Sequence, residues 1–301
     1  MKAMEVAAEL DGGASRTRVL RDLAELVKAR LTLLVLLTTA VGFYLASESP
    51  VNYLRLIHVV LGTAAAAAGA SALNQWREYK FDAMMHRTRT RPVPAGRMMP
   101  KDALILGVLF SIGGVVYLSF AVNAFSAVLA AMTIVIYVFA YTPLKRLSTF
   151  NTALGAVPGA LPPVIGWVGA RGGIDAGAWS LFAILFFWQL PHFFAIAWMY
   201  RDDYSRAGFR MISSDDQTGE RSASQSVFFC ILLLIVAGVP AFLGIVSAIY
   251  LIIELILSGA FVALAMRFLR TRSPVDARLL FFGSITYLPL LLAALVLTKV
   301  P

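Results

Sequence analysis

The chain is short of charge, of cysteine and of histidine. Only 14% of its 301 residues are Asp, Glu, Lys or Arg, while 59% are hydrophobic. A soluble domain carries about 25% charge, so this composition excludes a water-soluble globule. One cysteine, Cys230, excludes a disulfide framework and a cysteine cluster. It sits in an apolar run and reads as an inert core residue. The chain shows no internal repeat of the kind many transporters carry. Residues 1–22 are polar and lack the apolar core and cleavage pattern of a signal peptide. They are expected to form a flexible cytoplasmic leader ahead of one transmembrane domain over 23–301.

Apolar runs of near 20 residues fill the rest, the length a helix needs to cross about 30 Å of hydrocarbon. They predict spans near 31–48, 55–76, 103–122, 125–142, 152–169, 178–199, 227–246, 249–267 and 279–298. The fold class expected is therefore all-α: a polytopic membrane protein with nine transmembrane helices around an intramembrane cavity open to the cytoplasmic side. The net charge of +9 is of the sign that suits nucleic acid, but its distribution points elsewhere. Of 26 Lys and Arg, 23 lie before span 1, in the segments joining spans 2–3, 4–5, 6–7 and 8–9, or at the last residue of span 8; only Arg55, Arg171 and Lys299 remain for the other side. By the positive-inside rule this predicts a cytoplasmic N-terminus and an external C-terminus. A bacterial inner membrane follows as the expected location, with the lipid bilayer as the first partner.

Residues 74–97, NQWREYKFDAMMHRTRTRPVPAGR, carry the densest chemistry. Asn74, Glu78 and Asp82 are four residues apart. On a helix each such step turns about 40° beyond a full circle and climbs about 6 Å, so three oxygen-bearing side chains share one face. Such oxygens suit a hard divalent cation. Arg87, Arg89, Arg91 and Arg97 follow, and guanidinium groups suit phosphate. Pro92, Pro94 and Pro100 break the helix and should hold Arg87, Arg91 and Arg97 over its end. A Mg²⁺-bound diphosphate fits the whole; a solvated helix end of mixed charge is the plain alternative.

Elsewhere, Lys28 and Arg30 before span 1 read as headgroup anchors. The small residues Ala64–Ala68, Gly69, Ala70, Ser71 and Ala72 in span 2 either let helices approach closely or leave room for a flat ligand. Tyr141 and Lys145 at the end of span 4 offer a hydroxyl donor and a point charge for phosphate; Lys145 could equally be an ordinary anchor. Span 5 holds Gly155, Pro158, Gly159, Pro162, Pro163 and Gly166, so it should border a cavity, with Asn151 at its mouth. His192 in span 6 is an intramembrane ionisable residue, hence a functional candidate or a satisfied packing histidine. Asp202 and Asp203 reach the same face as Glu78 and Asp82 and could share metal with them. The polar stretch 201–226 could serve as a lid. Glu254 reads as snorkelling or bonding a neighbouring helix.

The N-x-x-x-E-x-x-x-D pattern at Asn74, Glu78 and Asp82 resembles the first aspartate-rich motif of the UbiA-type intramembrane prenyltransferases. Asp82-Ala-Met-Met-His-Arg-Thr-Arg-Thr-Arg-Pro, Tyr141-Thr-Pro-Leu-Lys-Arg, Leu190-Pro-His-Phe-Phe-Ala-Ile-Ala-Trp and Arg201-Asp-Asp-Tyr-Ser-Arg-Ala-Gly resemble its haem-farnesylating branch. The second motif departs from the D-x-x-x-D usual in the superfamily, which leaves Asp202 or Asp203 as the ligand, Asp203 being favoured. The resemblance implies nine helices, Mg²⁺ as cofactor, and farnesyl diphosphate and haem b as substrates. It implies Asn74, Glu78, Asp82 and Asp203 around metal, and Arg87, Arg91, Lys145, Tyr141 and Asn151 around diphosphate. His192 would either ligate the haem iron or manage the attacking water. A haem A synthase or an oxidase-assembly protein is an expected partner. A prenyltransferase for an aromatic or chlorin acceptor, or a haem-binding carrier or scaffold without chemistry, stands as the alternative.

Overall fold

A computed structural model of the protein describes residues 17–300. Most of the leader expected over 1–22 lies outside the described residues. Residues 17–26 are helical, and Asp22 accepts a hydrogen bond from Arg97 at 2.9 Å, so the boundary at 22 falls inside an ordered segment.

Among the described residues, nine helices are long and apolar enough to cross a membrane. They are α1 Ala29–Ala46, α2 Tyr53–Asp82, α3 Pro100–Ala121, α4 Ala124–Leu144, α5 Asn151–Arg171, α6 Ala176–Met199, α7 Glu220–Phe242, α8 Ile249–Thr271 and α9 Pro274–Leu297. Local chemistry sets their ends. Asp175 caps α6 by accepting from the amides of Gly177 and Ala178 at 2.9 and 3.1 Å. Pro100 and Pro274 open α3 and α9, where a missing amide hydrogen costs nothing. Gly172, at φ +78°, ends α5 in the left-handed conformation that glycine adopts freely.

The predicted spans recur within a few residues, with one consequential difference. Helix α2 has 30 residues and runs on to Asp82. At 1.5 Å per residue it is about 45 Å long, well beyond the hydrocarbon core. Its last turns carry Asn74, Glu78 and Asp82.

The small residues of α2 face α3. A Cβ added at Gly114 would lie 2.5 Å from the amide nitrogen of Ala66, and one at Gly107 would lie 2.8 Å from the Leu73 side chain. The small-residue wall is thus a helix-packing surface. Helix α5 is the most buried span and packs on α1, α4 and α6. Its three prolines sit in a continuous helix. Only Thr152, in its first turn, reaches the cavity described below, so the expectation that this span borders a cavity holds at one end alone. At mid-span, Gly166 lets the α1 backbone at Thr39 approach to contact.

Candidate active site

A cavity of about 210 Å³ opens at the end of the bundle that carries the basic segments. Three elements bring most of its polar groups together. The end of α2 supplies Asn74, Glu78 and Asp82. The end of α4 supplies Tyr137, Tyr141 and the adjoining Lys145. The turn after α2 supplies Arg87 and Arg91. Within α4, Ile136–Tyr141 forms a π-helical turn. Such wider turns recur at functional sites because they re-aim side chains. Here Tyr137 and Tyr141 stack, centroids 5.6 Å apart, on the cavity wall. Leu31, Met85, Phe193, Ile196, Phe209 and Met211 make the apolar remainder.

Asn74 is 1% exposed and organises the polar half. Its amide nitrogen donates to Glu78 Oε2 at 2.8 Å and to Thr142 Oγ1 at 3.1 Å. Its oxygen accepts from Lys28 Nζ at 2.7 Å. Glu78 accepts from Lys145 Nζ on both oxygens, each at 2.9 Å. Asp82 accepts from Arg91 at 2.7 Å, and its carbonyl accepts from Thr88 Oγ1 at 2.8 Å. Four cations and two carboxylates line the cavity, so it is net positive. This balance suits a multiply charged anion.

Lys28 is the residue that sequence reasoning missed. It stands at the start of α1 at φ +50° and turns inward rather than to the headgroups. Its amine also donates to Tyr137 Oη at 3.0 Å. Burial, with the Arg91 and Lys145 charges nearby, pulls it down to about 7 against the opposing pull of Glu78 and Asp82. Burial also works to lower Lys145, but the Glu78 carboxylate, with Tyr141 and Tyr137, holds it above the usual lysine range. A lysine before an apolar span reads the same whether it snorkels or turns inward, so spacing held no signal. For Tyr137 the four-residue step to Tyr141 was one.

Asn74, Glu78, Asp82, Arg87, Arg91, Tyr141 and Lys145 all line the cavity. Asp203 is outside the lining, 9% exposed, accepting from the backbone amide of the lining residue Arg87 at 3.3 Å and pairing with Arg206. Asp202 turns away, with its side chain 88% exposed. Three expectations need correction. Asn151 faces the strap 201–219, not the cavity: its amide donates to the carbonyls of Ser148 and Arg210 at 2.7 and 2.6 Å. Arg97 folds back onto Asp22 and Glu25, because the N-terminal helix offers two carboxylates within its reach. His192 packs against α9, outside the cavity lining, because successive helical residues diverge by about 100° and its neighbour Phe193 takes the inward position. The strap itself is closed over the cavity, contributing Tyr204, Phe209 and Met211.

Among the described residues no three His, Cys, Asp or Glu side chains converge as a metal cage. The donors present are all oxygens, from Asn74, Glu78 and Asp82. That set fits Mg²⁺, which typically takes one or two carboxylates and completes its shell with water and substrate phosphate.

Residues 35–288 match the UbiA prenyltransferase family. A protoheme IX farnesyltransferase from Solibacter usitatus is 43% identical over 289 residues, covering 93% of this chain and 99% of that protein. Among solved structures, a digeranylgeranylglyceryl phosphate synthase aligns with a TM-score of 0.77 at 16% identity, over 93% of this chain and 98% of its own. A UbiA homolog from Archaeoglobus fulgidus bound to GPP and Mg²⁺ aligns with a TM-score of 0.64 at 14% identity, over 91% and 99%. At those identities the two structures speak to the fold.

Proposed function

This chain belongs to the UbiA prenyltransferase family, and from that premise we propose that it transfers the farnesyl group of farnesyl diphosphate to a vinyl carbon of protohaem IX. Water adds in the same reaction, giving haem O and diphosphate. The observation that carries the reading is the cavity itself: a net-positive polar half fused to an apolar half. Farnesyl diphosphate has the matching halves. The farnesyl donor and the haem acceptor are taken from the Solibacter relative's name.

The diphosphate docks among Lys28, Arg87, Arg91 and Lys145, with Tyr141 donating from the side. Bound Mg²⁺, held by Asn74, Glu78 and Asp82 with Asp203 beside Arg87, supplies charge neutralisation to the leaving group. The chain's own cations do the rest. They are already fixed by hydrogen bonds, so stabilising the departing diphosphate needs little reorganisation. The prenyl tail lies against Leu31, Phe193, Ile196 and Met211, where scarce water prolongs the allylic cation. The C–O bond to diphosphate breaks as the vinyl terminal carbon bonds to farnesyl C1. The cation left beside the porphyrin takes a water oxygen, and that water loses one proton. We place this end on the cytoplasmic side of a bacterial inner membrane, since it carries the basic segments.

The test uses purified protein in detergent with haem b, farnesyl diphosphate and Mg²⁺, and mass analysis of the extracted haem. Haem gaining farnesyl plus water, and only with Mg²⁺, is the expected result. Unchanged haem from a folded preparation refutes the acceptor, and aromatic acceptors are then offered to the same preparation.

A further inference from the structure

A second cavity, of about 360 Å³, lies at the other end of the bundle, away from the basic segments. The α1–α2, α5–α6 and α7–α8 turns and the segment after α9 meet there. It holds Arg171 and Lys299, two of the three Lys and Arg that remain for this side. The positive-inside rule gives no reason for cations here. Part of their role is local. Lys299 Nζ donates to the carbonyls of Tyr44 and Ser47 at 2.8 and 2.6 Å, and Arg171 Nε to that of Ala46 at 2.9 Å. Those carbonyls are the orphaned end of α1. Arg171 Nη1 reaches Asp175 at 3.1 Å. One N–H of Lys299 and the Nη2 group of Arg171 are left over. Burial and the neighbouring Arg171 charge pull Lys299 below the ordinary lysine value, a repulsion that an anion between the two would relieve.

A third donor stands unused. Trp167 is four residues before Arg171 on α5, and the guanidinium lies 5.3 Å from its ring. It lines the cavity, is 1% exposed, and its indole N–H has no hydrogen-bond partner among the described residues. A buried N–H left this way costs stability and calls for an acceptor. The ring edge beside that N–H lies along Gly177, another cavity residue, where an added Cβ would meet Cζ2. Among the carboxylates, Asp175 is occupied by Arg171 and by the amides that open α6. Glu48 is exposed on the wall and has no partner among the described residues. Leu45, Leu243 and Ile245 make the wall apolar between these groups.

Three free donors and one free carboxylate ask for an anion joined to a cation. A phosphate with a primary ammonium a few bonds away matches both, and acyl chains match the apolar wall. We propose that this cavity binds the headgroup of phosphatidylethanolamine from the adjacent leaflet, with its phosphate on Arg171, Lys299 and Trp167 and its ammonium on Glu48. The bound headgroup joins the end of α1 to α5 and to the segment after α9. No group of the diphosphate cavity takes part, so the proposal stands apart from the prenyl-transfer reading.

The test follows thermal unfolding of the delipidated full-length protein in detergent while phosphatidylethanolamine, phosphatidylglycerol or inorganic phosphate is titrated in. A ligand of the native state raises the unfolding temperature with its concentration. Phosphatidylethanolamine should act at about tenfold lower concentration than phosphatidylglycerol, which keeps the phosphate and lacks the ammonium. Trp167→Phe removes an N–H that bonds nothing in the protein, so without lipid it should unfold where wild type does. Its response to phosphatidylethanolamine should weaken about tenfold or more. Glu48→Gln should bring phosphatidylethanolamine down to the level of phosphatidylglycerol and leave the latter unchanged. A folded Trp167→Phe protein with the wild-type response overturns the site. If Trp167→Phe does not fold, Glu48→Gln decides, because that side chain is exposed, and an unchanged preference there overturns the headgroup. Equal responses to both lipids in wild type overturn it too. A full response to inorganic phosphate alone overturns a lipid as the source.

Discussion

Replacing Lys28 by Met removes the cation that joins α1 to the diphosphate cavity. In the structure its amine spans Asn74 at 2.7 Å and Tyr137 at 3.0 Å. A hydrogen bond to a charged group contributes about 1.5–3 kcal/mol, so losing one to diphosphate should lower kcat/KM for the prenyl donor by about ten- to a hundredfold. The pH dependence is more diagnostic. Burial and the neighbouring cations hold Lys28 at about 7. Protonated amine binds the anion, so wild-type kcat/KM should fall as pH rises above about 7, where free enzyme loses that proton. Lys28→Arg keeps its charge and should lose this limb; Lys28→Met should be low and flat. Stability runs the other way. Between about 7 and the ordinary lysine value near 10.5, the unfolded chain holds a proton that the native chain lacks, so native stability gains with rising pH. Lys28→Met should flatten that rise in thermal unfolding. A Lys28→Met enzyme within about twofold of wild-type kcat/KM at pH 6.5, or a limb that persists in Lys28→Arg, would refute the reasoning.

Asp203→Asn should cost about tenfold or more in turnover, since Asp203 touches the Arg87 backbone, whereas the outward Asp202→Asn should be close to neutral; equal effects in the two would contradict the geometry. Lys145→Met leaves Glu78, with its side chain 5% exposed, as an uncompensated buried carboxylate. It should destabilise the protein by about 3–5 kcal/mol, and adding Glu78→Gln should recover most of that in thermal unfolding. Asn151→Ala unties the strap from α5 and should speed limited proteolysis within 201–219; an unchanged cleavage rate would place the restraint elsewhere. Mg²⁺ and prenyl diphosphate should tighten each other's binding by one common factor, measured by titrating each with and without the other; independent affinities would refute the coupling.

The fold was legible because each span is an apolar run bounded by charge, and the basic segments marked one end. The site was legible where spacing alone decides direction. Asn74, Glu78 and Asp82 share a helix face by arithmetic, and the turn that follows them brings Arg87 and Arg91 to the same cavity. It was illegible where a long or ambivalent side chain chooses between partners in other elements. Arg97 reaches Asp22 and Glu25, Lys28 reaches Asn74, and Asn151 reaches Arg210. Those choices depend on tertiary distances that no local pattern encodes. His192 shows the same limit. Its depth was readable from its place in α6, but the 100° step that faces it to Ser284 while Phe193 lines the cavity depends on how α6 is rotated against α9.

The pairing of charges inside the cavity gives a reason for the absence of a preformed metal cage among the described residues. Glu78 is spent on Lys145, and Asp82 on Arg91. Both carboxylates that line the cavity are thus satisfied by groups proposed to hold diphosphate. Two carboxylates left bare in a closed cavity would repel each other and raise one another's proton affinity. Two bare cations would do the reverse to themselves. Cross-pairing avoids both penalties in the ligand-free chain. It also makes the two ligands interdependent. When Glu78 and Asp82 turn to a metal, Lys145 and Arg91 lose their partners and need an anion, and diphosphate is that anion. When Lys145 and Arg91 turn to diphosphate, the carboxylates are left needing a cation. Neither ligand alone satisfies all four side chains, and both together do. Mutual tightening then follows from the ion pairs themselves, without any movement of the helices that carry them.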